Sequence, residues 1–221
     1  MRLVCVADTH LFEGPGWPVP DGDVFIHAGD LLRGGSLEEL VEAAAWIRSL
    51  PHRHKVVVAG NHDRCFERTR APALAELGPD VHDLQDTELE IDGVRIWGSP
   101  WQPWFYDWAF NLPRGEELAA RWAKIPDALD VLITHGPPRG YGDRTVGTRE
   151  GCDDLLAAID RAAPALHVFG HIHEDGGLWR RNGTTICNVT SWECTRPPTV
   201  LDYEPGTRAV TPVEVPPRTR D

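Results

Sequence analysis

Nine residues of this chain could do metal and acid–base chemistry together: Asp8, His10, Asp30, Asn61, His62, Asp63, His135, His171 and His173. Two carboxylates (Asp8, Asp30), one amide oxygen (Asn61) and four imidazoles (His10, His135, His171, His173), with no thiolate among them, suit borderline divalent ions such as Mn, Fe(II), Zn or Co. Seven ligands are more than one ion needs. Two ions roughly 3.5–4 Å apart would need a bridging group, and Asp30 is the natural one. His62 is then left over to give or take a proton. Asp63 beside it could hold that imidazole in one tautomer, or simply cap the segment that follows.

What must position these residues is a set of short apolar runs. Arg2 to Ala7 ends in Asp8-Thr9-His10, and Val24 to Ala28 ends in Gly29-Asp30. Lys55 to Ala59 ends in Gly60-Asn61-His62-Asp63, Val131 to Thr134 in His135, and Leu166 to Phe169 in Gly170-His171-Ile172-His173. Such runs of β-branched and aliphatic residues are strands buried on both faces, which present their ligands at the carboxyl end. Five of the ten histidines lie directly after them. His27, His52, His54, His82 and His167 lie elsewhere and read as satisfied or solvent-facing side chains.

Ser36-Leu37-Glu38-Glu39 is a capping box opening a helix whose stripe is Leu37, Leu40, Val41, Ala44 and Ile47, stopped by Pro51. It makes the crossover between two parallel strands. Glu88 to Ile91 and Val94 to Trp97, joined at Asp92-Gly93, form a hairpin that begins a second, antiparallel element. Two further helices are expected over Gly115 to Ile125 and Cys152 to Ala163, the second with a stripe of Leu155, Leu156 and Ile159. Strands near Thr184 to Val189, Thr199 to Tyr203 and Val210 to Val215 are expected to complete the second sheet. The aromatic stretch Trp97 to Phe110 fits neither helix nor strand. It reads mostly as packing under a loop, with Trp101, Trp104 or Phe105 as a possible wall for a base. Arg139, Tyr141 and Arg144, after His135, are candidate contacts to phosphate or base, or a solvated loop.

With 221 residues, 41% apolar and 25% charged, the chain is long enough for one large α/β domain with a proper core. A formal charge of −12 argues against an extended nucleic-acid partner, though not against a small phosphate drawn into a cleft. Five scattered cysteines without a C-x-x-C pair read as reduced thiols of a cytoplasmic protein. The first strand starts at once, which leaves no room for a signal sequence, and no window approaches the roughly 20 apolar residues of a membrane span.

Asp8-x-His10, Gly29-Asp30, Gly60-Asn61-His62-Asp63, His135 and Gly170-His171-x-His173, in that order, resemble the motifs of the calcineurin-like metallophosphoesterases. Within that superfamily, Gly98-Ser99-Pro100-Trp101-Gln102-Pro103-Trp104-Phe105, Asn111-Leu112-Pro113-Arg114-Gly115 and His135-Gly136-Pro137-Pro138 look like the metallophosphoesterase-domain-containing brain proteins and their bacterial relatives. The resemblance implies a four-layer αββα sandwich of two mixed sheets flanked by helices, one domain over 1–215, with 216–221 a disordered tail. It implies two divalent ions, manganese above all, one held by Asp8, His10, Asp30 and His173, the other by Asp30, Asn61, His135 and His171. Two dications less two carboxylates and a bridging hydroxide leave about +1 facing a substrate, enough to draw in a phosphate. The expected reaction is attack of the metal-held hydroxide on a small phosphodiester such as a cyclic nucleotide, with His62 protonating the leaving group and Asn61, His62, Arg139, Tyr141 and Trp101 touching the substrate. A phosphomonoesterase, or a weakly active nucleotide-binding scaffold of the same fold, are the alternatives.

Overall fold

Strand and helix segments alternate through most of the chain, and the computed structural model describes residues 1–14 and 17–215. The expected disordered tail, 216–221, lies outside them. In chain order the elements are β1 (Arg2–Val6), β2 (Val24–Ala28), α1 (Leu37–Ser49), β3 (His54–Val58), α2 (Arg64–Arg68), α3 (Arg70–Leu77), β4 (Val81–Asp83), β5 (Thr87–Ile91) and β6 (Val94–Ser99). There follow β7 (Gln102–Pro103), β8 (Asn111–Leu112), α4 (Glu116–Trp122), β9 (Val131–Thr134), α5 (Asp153–Ala162), β10 (Leu166–Phe169), β11 (Gly177–Arg181), β12 (Thr184–Asn188), β13 (Thr199–Glu204) and β14 (Ala209–Val213).

Two six-stranded sheets result, ordered β14-β13-β1-β2-β3-β4 and β11-β12-β10-β9-β6-β5. The runs β1-β2-β3-β4 and β6-β9-β10-β12 are parallel, and antiparallel strands close the edges. Side-chain parity then builds the layers. Leu3, Cys5, Val24, Ile26, Val56 and Val58 face Ile96, Val131, Ile133, Leu166 and Val168 between the sheets. Val4, Val6, Phe25 and Val57 point the other way, onto Leu40, Ala44 and Ile47 of α1 and Phe66, Ala73 and Leu77 of α2 and α3. Trp97 and Leu132 cover α4 and α5 through Leu118, Trp122, Leu155 and Ile159. The order helix, sheet, sheet, helix is the four-layer αββα sandwich.

Several local expectations are corrected. β13 and β14 join the first sheet, not the second: β13 pairs with β1 from Arg2↔Asp202 to Cys5↔Thr199, reinforced by the Arg2–Asp202 ion pair. Alternation along the strands reveals a hairpin but not which sheet edge accepts it. β4 extends the first sheet in parallel, and the second sheet begins at β5, the first strand of the expected hairpin. Val41 is half exposed and Ala43 takes its place in the α1 stripe. Ser36 Oγ accepts from the Glu39 N–H at 3.2 Å, but the Glu39 carboxylate accepts from Gly34 and Gly35 instead of closing the box. Cys152 is the N-cap of α5, its Sγ accepting from the Leu155 N–H. The described cysteines are all buried. In the aromatic stretch Trp97 and Phe110 are buried, whereas Trp104, Phe105 and Tyr106 are exposed.

Candidate metal centre

Because β1, β2 and β3 are parallel neighbours and so are β9 and β10, their carboxyl ends share one edge. The two sheets are stitched there by a parallel bridge between Ala7 and Thr190 and by the Ser191 N–H donating to Ala7 O at 2.8 Å. Leaving strand geometry so abruptly requires a backbone most side chains avoid: Asp8, His10, Asp30 and His171 all have positive φ, between 47° and 69°. The glycines before the donor residues allow a second kind of crowding. A Cβ on Gly60 would collide with the Asp30 amide and carboxylate, and one on Gly170 would stand 2.6 Å from Asp8 Oδ2.

Three groups of donor atoms, each within 4.8 Å of one another, come together: Asp8 with His10 and His173, Asp30 with His135 and His171, and His10 with Asp30 and His62. Asp30 faces two ways. Its Oδ2 lies 3.8 Å from His10 Nε2 and its Oδ1 3.4 Å from His135 Nε2. Asn61 Oδ1 joins the second group, 2.9 Å from His135 Nε2. His173 Nε2 lies 3.7 Å from Asp8 Oδ1.

Backbone carbonyls set the tautomers. His10 Nδ1–H donates to Leu32 O at 3.0 Å, His135 Nδ1–H to Ala28 O at 3.0 Å and His62 Nδ1–H to Arg33 O at 2.5 Å. Each Nε2 is thereby turned to the common space, the arrangement that orients imidazole ligands.

Electrostatically the site is built for a cation. Asp8, Asp30 and Asp63 are buried, and no Lys or Arg among the described residues pairs with any of them. Burial raises the pKa of Asp8 and of Asp30, but the neighbouring imidazoles outweigh it, His173 holding Asp8 low and His135 holding Asp30 low. Burial likewise opposes charge on His135, yet Asp30 lifts it to about 9. Burial takes His171 down to about 3. Buried carboxylates among neutral and shared imidazoles are unfavourable without a compensating positive charge, and this donor set fits borderline divalent ions.

Asp63 does not do what its place in the sequence suggests. Its carboxylate turns away from the His62 ring and accepts from the N–H groups of Gly60, Leu31 and Leu32, tying the loop after β3 to the loop after β2. Burial and then the Asp30 charge raise it to about 7. The His62 ring is held instead by Arg33 O and by the indole of Trp108, stacked with centroids 3.9 Å apart, with Arg64 on that indole at 4.6 Å.

Of the expected substrate contacts, Asn61 and His62 lie at the donor groups, whereas Arg139, Tyr141 and Trp101 do not line that cavity. The cavity at the donor groups, 280 Å³, is lined by Asn61 and His62, but also by Phe105, Thr145, Glu150 and Glu174. Trp101 lies behind it, against Phe110 and under Arg121. Tyr141 faces Arg181, and Arg139 lines a neighbouring cavity. Of the wall candidates only Phe105 reaches the site, edge-on to His171 at 5.4 Å. Thr145 and Glu150 sit in an irregular loop and Glu174 in a single 3-10 turn, His173–Asp175, with no periodic signal that could have singled them out. His27 in β2 and His167 in β10 are buried within strands that lead to the donor groups. Each meets a threonine adjacent to a candidate ligand, Thr9 at 3.0 Å and Thr134 at 2.8 Å, and burial lowers both to about 3.

No helix among the described residues is long and apolar enough to cross a membrane. The chain is 41% identical over 230 residues to human metallophosphoesterase domain-containing protein 1, covering 91% of this chain and 70% of that protein. A UPF0046 protein of Caenorhabditis elegans is 40% identical over 202 residues, covering 86% and 69%. A solved crystal structure superimposes with a TM-score of 0.66 over 96% of this chain and 98% of its own at 16% identity, a likeness of fold alone. The profile of the calcineurin-like phosphoesterases matches residues 1–175. With its strand-end donor groups and two-sheet frame, the chain belongs to the calcineurin-like metallophosphoesterase family.

Proposed function

We propose that this chain is a metal-dependent phosphodiesterase acting on cyclic nucleotides or similar small phosphodiesters. Two ions, manganese foremost, would be held by Asp8, His10, Asp30 and His173 and by Asp30, Asn61, His135 and His171. The observation that carries this reading is Asp30, whose two oxygens face separate imidazole sets. When bound, the ions supply Lewis-acid polarisation of phosphoryl oxygens and a water acidified to near neutrality.

The rest is the work of the chain. The Asn61 amide and His62 imidazole line the cavity where a phosphoryl group would enter. His62 Nδ1–H is committed to Arg33 O, so Nε2 is the atom that would hand a proton to the leaving oxygen, a contribution of about 10²–10⁴ in rate. Trp108 keeps that ring in one plane. Phe105 offers an exposed face at the cavity wall on which a base can lie. The test is turnover of 2′,3′- and 3′,5′-cyclic nucleotides against AMP by protein of measured manganese content. Hydrolysis of AMP with both cyclic substrates left intact would overturn the diester reading.

A further inference from the structure

Beside the metal centre lies a second cavity, of 320 Å³, lined by Arg139, Arg144, Thr145, Gly147, Thr148 and Arg149. Three guanidinium groups and no carboxylate side chain line it, in a chain whose formal charge is −12. Arg149 is paired with the fully buried Asp143. The Arg139 guanidinium donates to the carbonyl of Arg149 at 2.7 Å, and among the described residues no carboxylate stands within ion-pair distance of Arg139 or Arg144. Neither guanidinium has an ion-pair partner there, while the Asp175 carboxylate accepts from the Arg144 backbone N–H at 3.0 Å and the Glu150 carboxylate from the Thr148 hydroxyl at 2.6 Å.

Its frame is built. Asp143 accepts from the N–H groups of Gly140 and Gly151, Arg144 and Arg149 face each other across an antiparallel bridge, and the Thr145 N–H closes the turn on Thr148 O at 3.0 Å. Thr145 also lines the cavity at the metal donors, so the two spaces share a wall. Each, near 300 Å³, stands at the lower limit of ligand cavities and has room for one small group.

We infer that the arginine cavity is an anion subsite, and that the chain selects small phosphodiesters carrying a second phosphate, which Arg139 and Arg144 hold while the scissile phosphate lies at Asp30 and His62. Guanidinium groups are suited to forked contact with phosphate oxygens. A cyclic mononucleotide has one phosphate and leaves this cavity unused. The inference rests on reading the metal centre as a phosphoester site, and the experiment separates the two.

Metal-loaded protein is assayed on the p-nitrophenyl ester of thymidine 5′-phosphate and on the same ester bearing a 3′-phosphate. Scissile bond and leaving group are identical. The 3′-phosphorylated ester is expected to show a KM about tenfold lower, the effect of one charge-assisted contact at a half-exposed site. Arg144→Gln and Arg139→Gln are each expected to bring the ratio of the two KM values toward one, and a ratio cancels general losses of rate. A ratio near one in the unmutated protein, or one unchanged in both variants, overturns the subsite while leaving the phosphoester reading intact. Failure to turn over either ester counts against the phosphoester reading. Calorimetry with thymidine 3′,5′-bisphosphate and thymidine 5′-monophosphate then decides the subsite alone: tighter binding of the bisphosphate, lost in Arg144→Gln, supports it, and equal binding overturns it.

Discussion

Stripping the metal should hand its electrostatic role to a proton on His135. That ring is buried, its Nδ1–H is given to Ala28 O, and its Nε2 faces Asn61 Oδ1 at 2.9 Å and Asp30 Oδ1 at 3.4 Å. A proton on Nε2 completes both contacts, and Asp30 lifts the group to about 9 against an ordinary 6.5. The folded pKa is the higher one, so the stabilisation is fully present below pH 6.5 and is lost as the pH rises through 9. The interval is worth about 3 kcal/mol, or roughly 6–12 °C of melting temperature for a chain of this size. The assay is thermal melting of chelator-treated protein from pH 6 to 10, beside His135→Gln. The melting temperature should fall with pH in the unmutated protein and stay flatter in the variant. With Mn²⁺ the fall should shrink, and calorimetry in buffers of different ionisation enthalpy should detect a proton released on metal binding near pH 7. A gap between protein and variant that stays constant from pH 6 to 10 would refute the Asp30–His135 coupling.

Asp30→Ala should lose both ions, because one carboxylate faces both imidazole sets, whereas His62→Ala should keep them and lose about 10²–10⁴ in rate; metal analysis beside turnover checks both. Asp63→Ala leaves three buried N–H groups without their acceptor and should cost about 3–5 kcal/mol by denaturant titration. Asp63→Asn, keeping one acceptor oxygen, should recover part of that, and equal stability of all three proteins would exclude a strut role. Gly170→Ala drives a methyl toward Asp8 Oδ2 and Ala7, so a loss of about 1–3 kcal/mol together with weaker metal binding is expected. Unchanged melting and metal content would remove the close-approach explanation for that glycine.

Much of this was legible in the residues. Short apolar runs announce strands because only a two-sided burial favours them, and the polar residue after each run marks the strand end wherever the strand lies in space. Glycine before Asp30, Asn61 and His171 is local information too, since backbones that approach this closely exclude a Cβ. The types of the candidate donors alone pointed to borderline cations. Tertiary structure decided what depends on partners distant in the chain. The β13–β14 hairpin could hydrogen-bond to either sheet, and its pairing with β1 spans almost the whole chain. Asp63 follows His62 in sequence, but the loop after β2 brings two amides to its carboxylate and Arg33 O to the imidazole. The loop from Arg139 to Gly151 has no period to read, so only its folded path separates Arg139 from the metal donors and sets Thr145 between two cavities. Side-chain type is carried by the chain itself, whereas the direction of a hydrogen bond or the wall of a cavity exists only once distant backbone groups have met.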